Sequence, residues 1–130
     1  MSRGLLDTSV FIARERHRPL GLLPDELAVS VVTIGELELG VLTALDDDQR
    51  AQRADTLALA RCADPIPITE AVMGSFARLT VDCRRSGARP KILDALIAST
   101  AIEHGLPVVT QDDDFTSMAR AHSRLVVQRV

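Results

Sequence analysis

Four acidic side chains occupy positions where a short apolar segment of the sequence ends or a helix begins. Asp7 follows two leucines in GLLDTSVFI, and Glu36 follows a β-branched run in AVSVVTIGELELG. Asp94 interrupts the apolar start of PKILDALIAST, and Asp112 opens the acidic run near the end of PVVTQDDDF. Desolvating a carboxylate costs several kcal/mol unless it is paired or holds a metal ion. These four residues are therefore candidates for a cation-binding site.

The apolar patterning predicts short strands that alternate with helices. Short β-branched runs predict five strands, at residues 3–6, 28–32, 65–68, 107–110 and 125–128. Longer patterned segments predict helices at residues 9–17, 34–45, 49–62, 70–86, 92–104 and 114–121. Strands this short and apolar are typical of a parallel sheet that is buried on both faces. We therefore expect an α/β fold in one domain spanning residues 1–130, with a central parallel sheet of about five strands flanked by helices.

The predicted connectivity brings the four acids to one edge of this sheet. Asp7, Glu36 and Asp112 follow the carboxyl ends of predicted strands. Asp94 lies near the start of a helix that feeds the 107–110 strand, and such a helix runs antiparallel to the strand it feeds. Ligands of open α/β sheets bind in the crevice at the carboxyl edge. We therefore expect these acids to share one cleft.

Each acid also has a purely structural interpretation. Thr33 and Glu36 fit a capping box, and so does the stretch Thr110–Asp113. Asp7 could cap the helix after it, and Asp94 could favour the positive end of its helix dipole. Helix capping does not explain why the acids converge.

The convergence of carboxylates predicts a metal site. Clustered carboxylates repel one another unless cations neutralise them, and all-oxygen ligation suits Mg²⁺ or Mn²⁺. Such ions can activate water for phosphodiester hydrolysis. The hydroxyl groups beside the acids could orient water or phosphate, or could only cap helices: Thr8, Ser9 and Thr110. The histidines are isolated and are interpreted as surface residues outside catalysis: His17, His104 and His122.

The composition is that of an ordinary globular domain, with 46% apolar and 25% charged residues. No apolar stretch reaches the roughly 20 residues of a membrane span, and the N-terminal residues lack the pattern of a signal peptide. Cys62 and Cys83 match no metal or redox spacing and are interpreted as buried thiols in a reducing compartment. We therefore expect no membrane association and a cytoplasmic location.

The motifs resemble those of the PIN-domain ribonucleases, and within them the VapC toxins of bacterial type II toxin–antitoxin modules. The resemblance is carried by LLDTSVFI, VVTIGELELGVL and ILDALIASTAIEHGLPVVTQDDDF, and it is weakest over residues 47–90. It implies a PIN-like three-layer sandwich. It also implies that the family's acidic quartet falls on Asp7, Glu36, Asp94 and Asp112, with Asp114 as an auxiliary acid.

The resemblance further implies an activity and partners. These acids would bind Mg²⁺ or Mn²⁺ and hydrolyse an RNA phosphodiester. The protein would be a homodimer, inhibited by a small cognate antitoxin whose C-terminal tail enters a groove beside the active site. The sequence departs from the family at Ser9 and Leu93, where Asn is frequent. Asp113 could replace Asp112 if the loop is one residue longer.

Positive charge is concentrated in one segment, although the formal net charge is −3. The segment RRSGARPK contains four basic residues, Arg84, Arg85, Arg89 and Lys91. They could form only a solvated helix end and turn. Alternatively, they bind RNA phosphates near the metal site, or an antitoxin carboxylate.

The segments ELELGVLTAL and DDDQRAQRADTLALA predict a hairpin of two amphipathic helices. Its apolar residues exceed a single buried stripe: Leu37, Leu39, Val41 and Leu42. They could belong to the core, or to a dimer or antitoxin surface.

Two other kinds of protein share parts of this pattern. A response-regulator receiver domain needs a phosphoacceptor Asp after its third strand and a Lys after its fifth. Here the third predicted strand ends at Ile68 before Thr69, and the only lysine, Lys91, precedes the fourth. The alternative that stays open is a non-catalytic interaction module on the PIN fold, because fold does not dictate activity. Such a module would tolerate loss of the acids, all of which this chain keeps.

Overall fold

A central parallel sheet organises the computed structural model, which describes residues 2–130. Four strands form the sheet in this part of the chain, in the order β2-β1-β3-β4: β1 Arg3–Leu6, β2 Glu26–Ala28, β3 Val108–Thr110 and β4 Val127–Arg129. The prediction of an α/β fold with a parallel sheet is therefore confirmed, but the sheet has four strands rather than about five.

The missing fifth strand is the predicted 65–68 segment. Ile66 makes one isolated parallel bridge to Ser30. The residues on either side of it are Pro65 and Pro67, which have no backbone N–H to donate to a neighbouring strand. Those missing donors would face away from Ser30, because alternate residues of a strand bond to opposite sides. Ile66 donates to the Val29 carbonyl at 2.8 Å and accepts the Val31 N–H at 3.0 Å. The ladder ends after this one bridge because the chain that Ile66 pairs with enters a helix at Val31.

Helices cover both faces of the sheet, as predicted. In residues 2–130 the helices are α1 Thr8–Glu15, α2 Val31–Leu42, α3 Asp47–Arg61, α4 Glu70–Ser86, α5 Ile92–Glu103 and α6 Thr116–Ala121. Each lies close to its predicted range. The helix α2 begins earlier than expected because the Ser30 hydroxyl accepts the Val32 N–H at 3.0 Å and caps it.

This early start corrects two predictions. The strand expected at 28–32 ends at Ala28, and Glu36 lies in the second turn of α2 rather than the first. Glu36 is therefore no partner in a capping box with Thr33. The stretch Thr110–Asp113 caps no helix either, because α6 begins only at Thr116 after the buried Phe115.

The core consists of two apolar layers separated by the sheet. Leu5 and Val108 are paired in adjacent strands and pack against α4, α5 and α6. The next pair, Leu6 and Val109, faces the opposite way and packs against α1, α2 and α3. Because successive strand residues point to opposite faces, four apolar side chains in two strands bury both sides of the sheet. This is the three-layer sandwich.

Two other expectations are wrong. Cys62 is exposed at the end of α3, whereas Cys83 is buried as expected. His122 is buried rather than at the surface, and its Nδ1 lies 2.8 Å from Oδ2 of Asp82 on α4.

Within residues 2–130, the helices are all too short or too polar to cross a membrane.

Candidate active site

Five carboxylates line one cleft of about 590 Å³ at the carboxyl edge of the sheet: Asp7, Glu36, Asp94, Asp112 and Asp114. The cleft lies between the two helical layers. Asp7 joins β1 to α1, and Glu36 comes from α2 in the same layer. Asp94 comes from the first turn of α5, in the opposite layer. The structure thus brings the four predicted acids and Asp114 into one cleft. Their roles in catalysis and metal binding stay predictions.

The acidic run after β3 divides into two groups. Asp112 and Asp114 line the cleft, whereas the Asp113 carboxylate accepts from Nη1 of Arg129 at the end of β4. Asp113 is not among the residues that line the cleft. Of these two acids, Asp112 is therefore the one that lies in the cleft, and its role there stays a prediction.

Asp7 both caps a helix and belongs to the cleft. Its side chain is 4% exposed and accepts the Ser9 N–H at 3.4 Å and the Thr110 hydroxyl at 3.0 Å. Burial raises the pKa of Asp7, and the hydrogen bonds from Ser9 and Thr110 offset part of that increase. Capping and site membership are therefore not alternatives at this position.

The hydroxyl groups of Ser9 and Thr110 hold the acidic loop against α1. Their oxygens are 3.2 Å apart. The Ser9 oxygen accepts the Gln111 N–H, and the Thr110 oxygen accepts the Asp112 N–H, both at 3.0 Å. These contacts position Asp7 and Asp112 relative to each other.

A second hydroxyl pair supports Glu36. The Thr8 oxygen lies 2.7 Å from Oε1 of Glu36 and 3.0 Å from the hydroxyl of Thr33. Thr8 has a single hydroxyl proton, and the shorter contact to a carboxylate is the stronger acceptor for it. The Thr33 hydroxyl is the second, longer acceptor contact of the same Thr8 hydroxyl. Sequence reasoning assigned Thr33 to a cap, although its spacing of three residues from Glu36 puts both on one helix face.

Asp94 shows the strongest electrostatic effect in the cleft. Its pKa is raised to about 6, first because the carboxyl is partly buried and then because other carboxylates surround it: Asp7, Asp114 and Glu36. Lys91 opposes this increase. The cleft therefore favours binding of a proton or a cation.

The donor set fits a hard divalent cation, since every candidate ligand is a carboxylate oxygen. Among residues 2–130, however, no three acidic, histidine or cysteine side chains are close enough to form a preassembled metal-binding group. A bound cation would have to draw the carboxylates inward. Burial first, and repulsion from the other carboxylates second, raise the pKa of Asp94, and a bound cation would relieve the repulsion.

The four predicted RNA-binding residues occupy three different places. Lys91 lines the acidic cleft. Arg84 and Arg89 line an adjoining cavity of about 560 Å³ between α4 and α5, which shares Ile92 with the cleft. Arg85 is exposed and lines neither space.

Sequence analysis missed one cationic residue of the acidic cleft, Arg18. It follows α1 and is one of three arginines in ARERHR, so no sequence pattern distinguishes it from Arg14 and Arg16. Only the position at which α1 ends in the folded protein shows which of these three arginines reaches the cleft.

The apolar residues of the α2–α3 hairpin are divided between core and surface. Leu37 is buried and Val41 is partly buried against the core. Leu39 and Leu42 are 61% and 75% exposed. Both interpretations of this stripe therefore apply, each to different residues.

Comparisons with known proteins agree with the fold. A family model described as PIN domain matches residues 4–121, so the chain belongs to the PIN-domain family. Ribonuclease VapC8 of Mycobacterium tuberculosis is 62% identical over 100 residues, covering 75% of this chain and 89% of the relative. Ribonuclease VapC5 of the same organism is 43% identical over 127 residues, covering 96% and 94%. Within the family, these relatives place the chain among the VapC proteins.

A solved structure gives the same result. The crystal structure of VapBC-5 from Mycobacterium tuberculosis, described as a member of the VapBC family of toxin–antitoxin systems, contains a chain that is similar to this one. The TM-score is 0.89 and the identity 41%, with 100% of both chains covered. The resemblance to PIN-domain ribonucleases of the VapC type is therefore confirmed.

Proposed function

We propose that this protein is a metal-dependent endoribonuclease that acts as the toxin of a type II toxin–antitoxin system. One observation carries the proposal: five carboxylates from both helical layers line a single cleft at the carboxyl edge of the sheet. The similarity to proteins named ribonuclease and to a toxin–antitoxin complex supports RNA as the substrate class.

Asp7, Glu36, Asp94 and Asp112 would hold Mg²⁺, or Mn²⁺ in its place, with Asp114 as an auxiliary acid. A divalent ion bound there supplies a water of lowered pKa and stabilises the leaving oxygen of the phosphodiester. The protein's contribution is to hold the carboxylates in place. Thr8 donates to Oε1 of Glu36, which leaves Oε2 to bind the cation or accept a proton from the attacking water.

Basic residues would hold the RNA strand, because an acidic cleft repels phosphates. We assign this role to Arg84, Arg85, Arg89 and Lys91. Lys91 in the cleft, and Arg84 and Arg89 in the adjoining cavity, lie where a strand could leave the acids. The assignment of Arg85 rests on its sequence position alone.

We further propose a homodimer and a small cognate antitoxin as partners, in the cytoplasm where the RNA substrate is found. Exposed leucines on the α2–α3 hairpin supply apolar surface for such contacts, namely Leu39, Leu42 and Leu45. Purification together with the products of the neighbouring genes tests this. Co-elution of a small protein is the expected result, and a monomer that co-elutes with nothing would contradict it.

The catalytic proposal is tested by replacing one acid inside the cleft and one just outside it. Asp94→Asn should lower Mg²⁺-dependent cleavage of RNA by about 100-fold or more, the size of effect seen when a charge-stabilising group is removed from an active site. Asp113→Asn should retain activity, because Asp113 is exposed and its ion pair with Arg129 contributes little. Cleavage is followed on labelled RNA, with circular dichroism to show that each variant is folded.

Two results would contradict this proposal. Cleavage that persists in EDTA would exclude the metal-dependent mechanism. Absence of cleavage by the wild type, with a partner protein still bound, would favour the non-catalytic interaction module instead.

A further inference from the structure

Arg18 and Lys91 both line the acidic cleft, and each is next to a helix on a different face of the sheet. Arg18 follows α1, whose Val10 and Phe11 pack on one face of the sheet. Lys91 precedes α5, whose Ala95 packs on the other face. The carboxylates therefore share the cleft with one cationic side chain from each helical layer.

The backbone around Arg18 is held at both ends. The Arg18 N–H donates to the Ala13 carbonyl at 2.8 Å, and His17 before it adopts the left-handed conformation, with φ of 54°. This is the pattern of a Schellman motif that ends a helix. On the other side, Nε2 of Gln111 donates to the Pro19 carbonyl at 3.3 Å. Residues 17–19 are thus tied both to α1 and to the residue next to Asp112.

Arg18 is exposed and makes no ion pair within residues 2–130, although five carboxylates line the same cleft. Arg129, in contrast, is paired with the neighbouring Asp113. A guanidinium group presents several donors in a planar fork that matches phosphate oxygens. An unpaired arginine at the rim of an acidic cleft is therefore available for an anion brought by the substrate.

We propose that Arg18 binds a backbone phosphate of the RNA strand on the α1 side of the cleft. The strand would then cross the acids from Arg18 towards Lys91 and continue into the cavity lined by Arg84 and Arg89. This assignment rests on the proposed ribonuclease function. It makes Arg18 a positioning residue, because the guanidinium contacts a phosphate away from the reacting bond.

The experiment compares three charge changes in the full chain. Arg18→Gln removes the charge at the cleft, and Arg18→Lys keeps it. Arg124→Gln removes an exposed charge at the opposite edge, since residue 124 precedes the amino end of β4. Binding of fluorescein-labelled single-stranded RNA of mixed sequence is measured by anisotropy at several salt concentrations, with Ca²⁺ in place of Mg²⁺.

Arg18→Gln should weaken RNA binding about tenfold at low salt, as expected for one charge-assisted contact. The slope of log K against log salt should fall by about 0.7, the change for one phosphate on a single strand. Arg18→Lys should keep the wild-type slope, and Arg124→Gln should match the wild type. Mn²⁺ binding without RNA, measured by electron paramagnetic resonance, should be unchanged in all three variants.

The outcomes separate this inference from the proposed function. Wild-type binding with an unchanged slope in Arg18→Gln would overturn the role of Arg18 alone. An equal loss in Arg124→Gln would also overturn it, since the effect would then be one of net charge. Failure of the wild type to bind RNA would overturn the proposed function and the inference with it.

Discussion

At the scale of single residues, small hydroxyl side chains decide how the acids are presented. Thr110 and Ser9 link Asp7 to the loop that carries Asp112, and Thr8 links α1 to Glu36. Carboxylates that share hydrogen-bonded neighbours are restrained before any cation arrives. Removing a group that orients a metal ligand in this way typically lowers metal affinity or activity by about 10- to 100-fold.

Thr33 is the residue whose removal tests this. Thr33→Val keeps the shape of a fully buried side chain but removes the hydroxyl that Thr8 contacts at 3.0 Å, so Thr8, and Glu36 through it, lose part of their restraint. We expect cleavage and Mn²⁺ affinity each to fall by about 10-fold. Thr33→Ser restores the hydroxyl and should recover most of both. Equal values for the Val and Ser variants would show that Thr33 serves only packing.

At the scale of helices and strands, the ends are set by backbone chemistry. The start of α2 at Val31 limits the pairing of Ile66 to one bridge, and the same Ser30 cap puts Glu36 in the second turn of α2. At the end of α1, His17 occupies the left-handed position that usually belongs to glycine. This costs backbone energy beside Arg18, at the rim of the cleft.

His17→Gly should therefore stabilise the protein by up to about 1 kcal/mol, since glycine adopts this conformation without the steric cost. Asp64 is the matched comparison, because it also has a positive φ, of 49°, and aspartate tolerates that region better than histidine. The gain from Asp64→Gly should be smaller. Urea unfolding of the three proteins measures both differences, and a loss of stability in His17→Gly would contradict the argument.

At the scale of the whole molecule, the cleft is a junction between two layers that carry like charges. Asp7 and Glu36 belong to one layer and Asp94 to the other. Without a cation, their repulsion and the partial burial of Asp94 oppose the folded state. This effect is visible in the pKa of Asp94, which is raised from 3.8 to about 6.

The stability of the metal-free protein should depend on pH through Asp94. The folded state holds the Asp94 proton more tightly than the unfolded state, so the cost of ionisation is absent below pH 3.8, grows between pH 3.8 and about 6, and is complete above that. Asp94→Asn avoids this cost. In EDTA its Tm should therefore match the wild type near the low end of this range and exceed it above the high end.

Thermal unfolding of both proteins across this range measures the difference. Mg²⁺ should reduce it by raising the Tm of the wild type, because a ligand that binds only the folded state stabilises it by mass action. A Tm difference that does not change with pH would contradict the electrostatic explanation.

The sequence by itself determined the elements, the parallel sheet and the convergence of the acids. Periodicity is a local property, and Asp7, Asp94 and Asp112 are placed by the direction of the strand or helix next to each of them. Neither the periodicity nor the direction of an element depends on where a side chain lies in the folded protein. The strand predicted at 65–68 did not form because its partner segment, predicted as a strand to residue 32, enters a helix at Val31, which the apolar pattern does not show.

Only the tertiary structure decided which side chains share the cleft. Asp113 contacts Arg129, 16 positions away on another strand, and Thr33 reaches the site through Thr8, 25 positions away. Arg18 is distinguished from its neighbouring arginines by the way α1 ends. Such contacts join segments that are distant along the chain, so their geometry exists only once both layers have packed against the sheet.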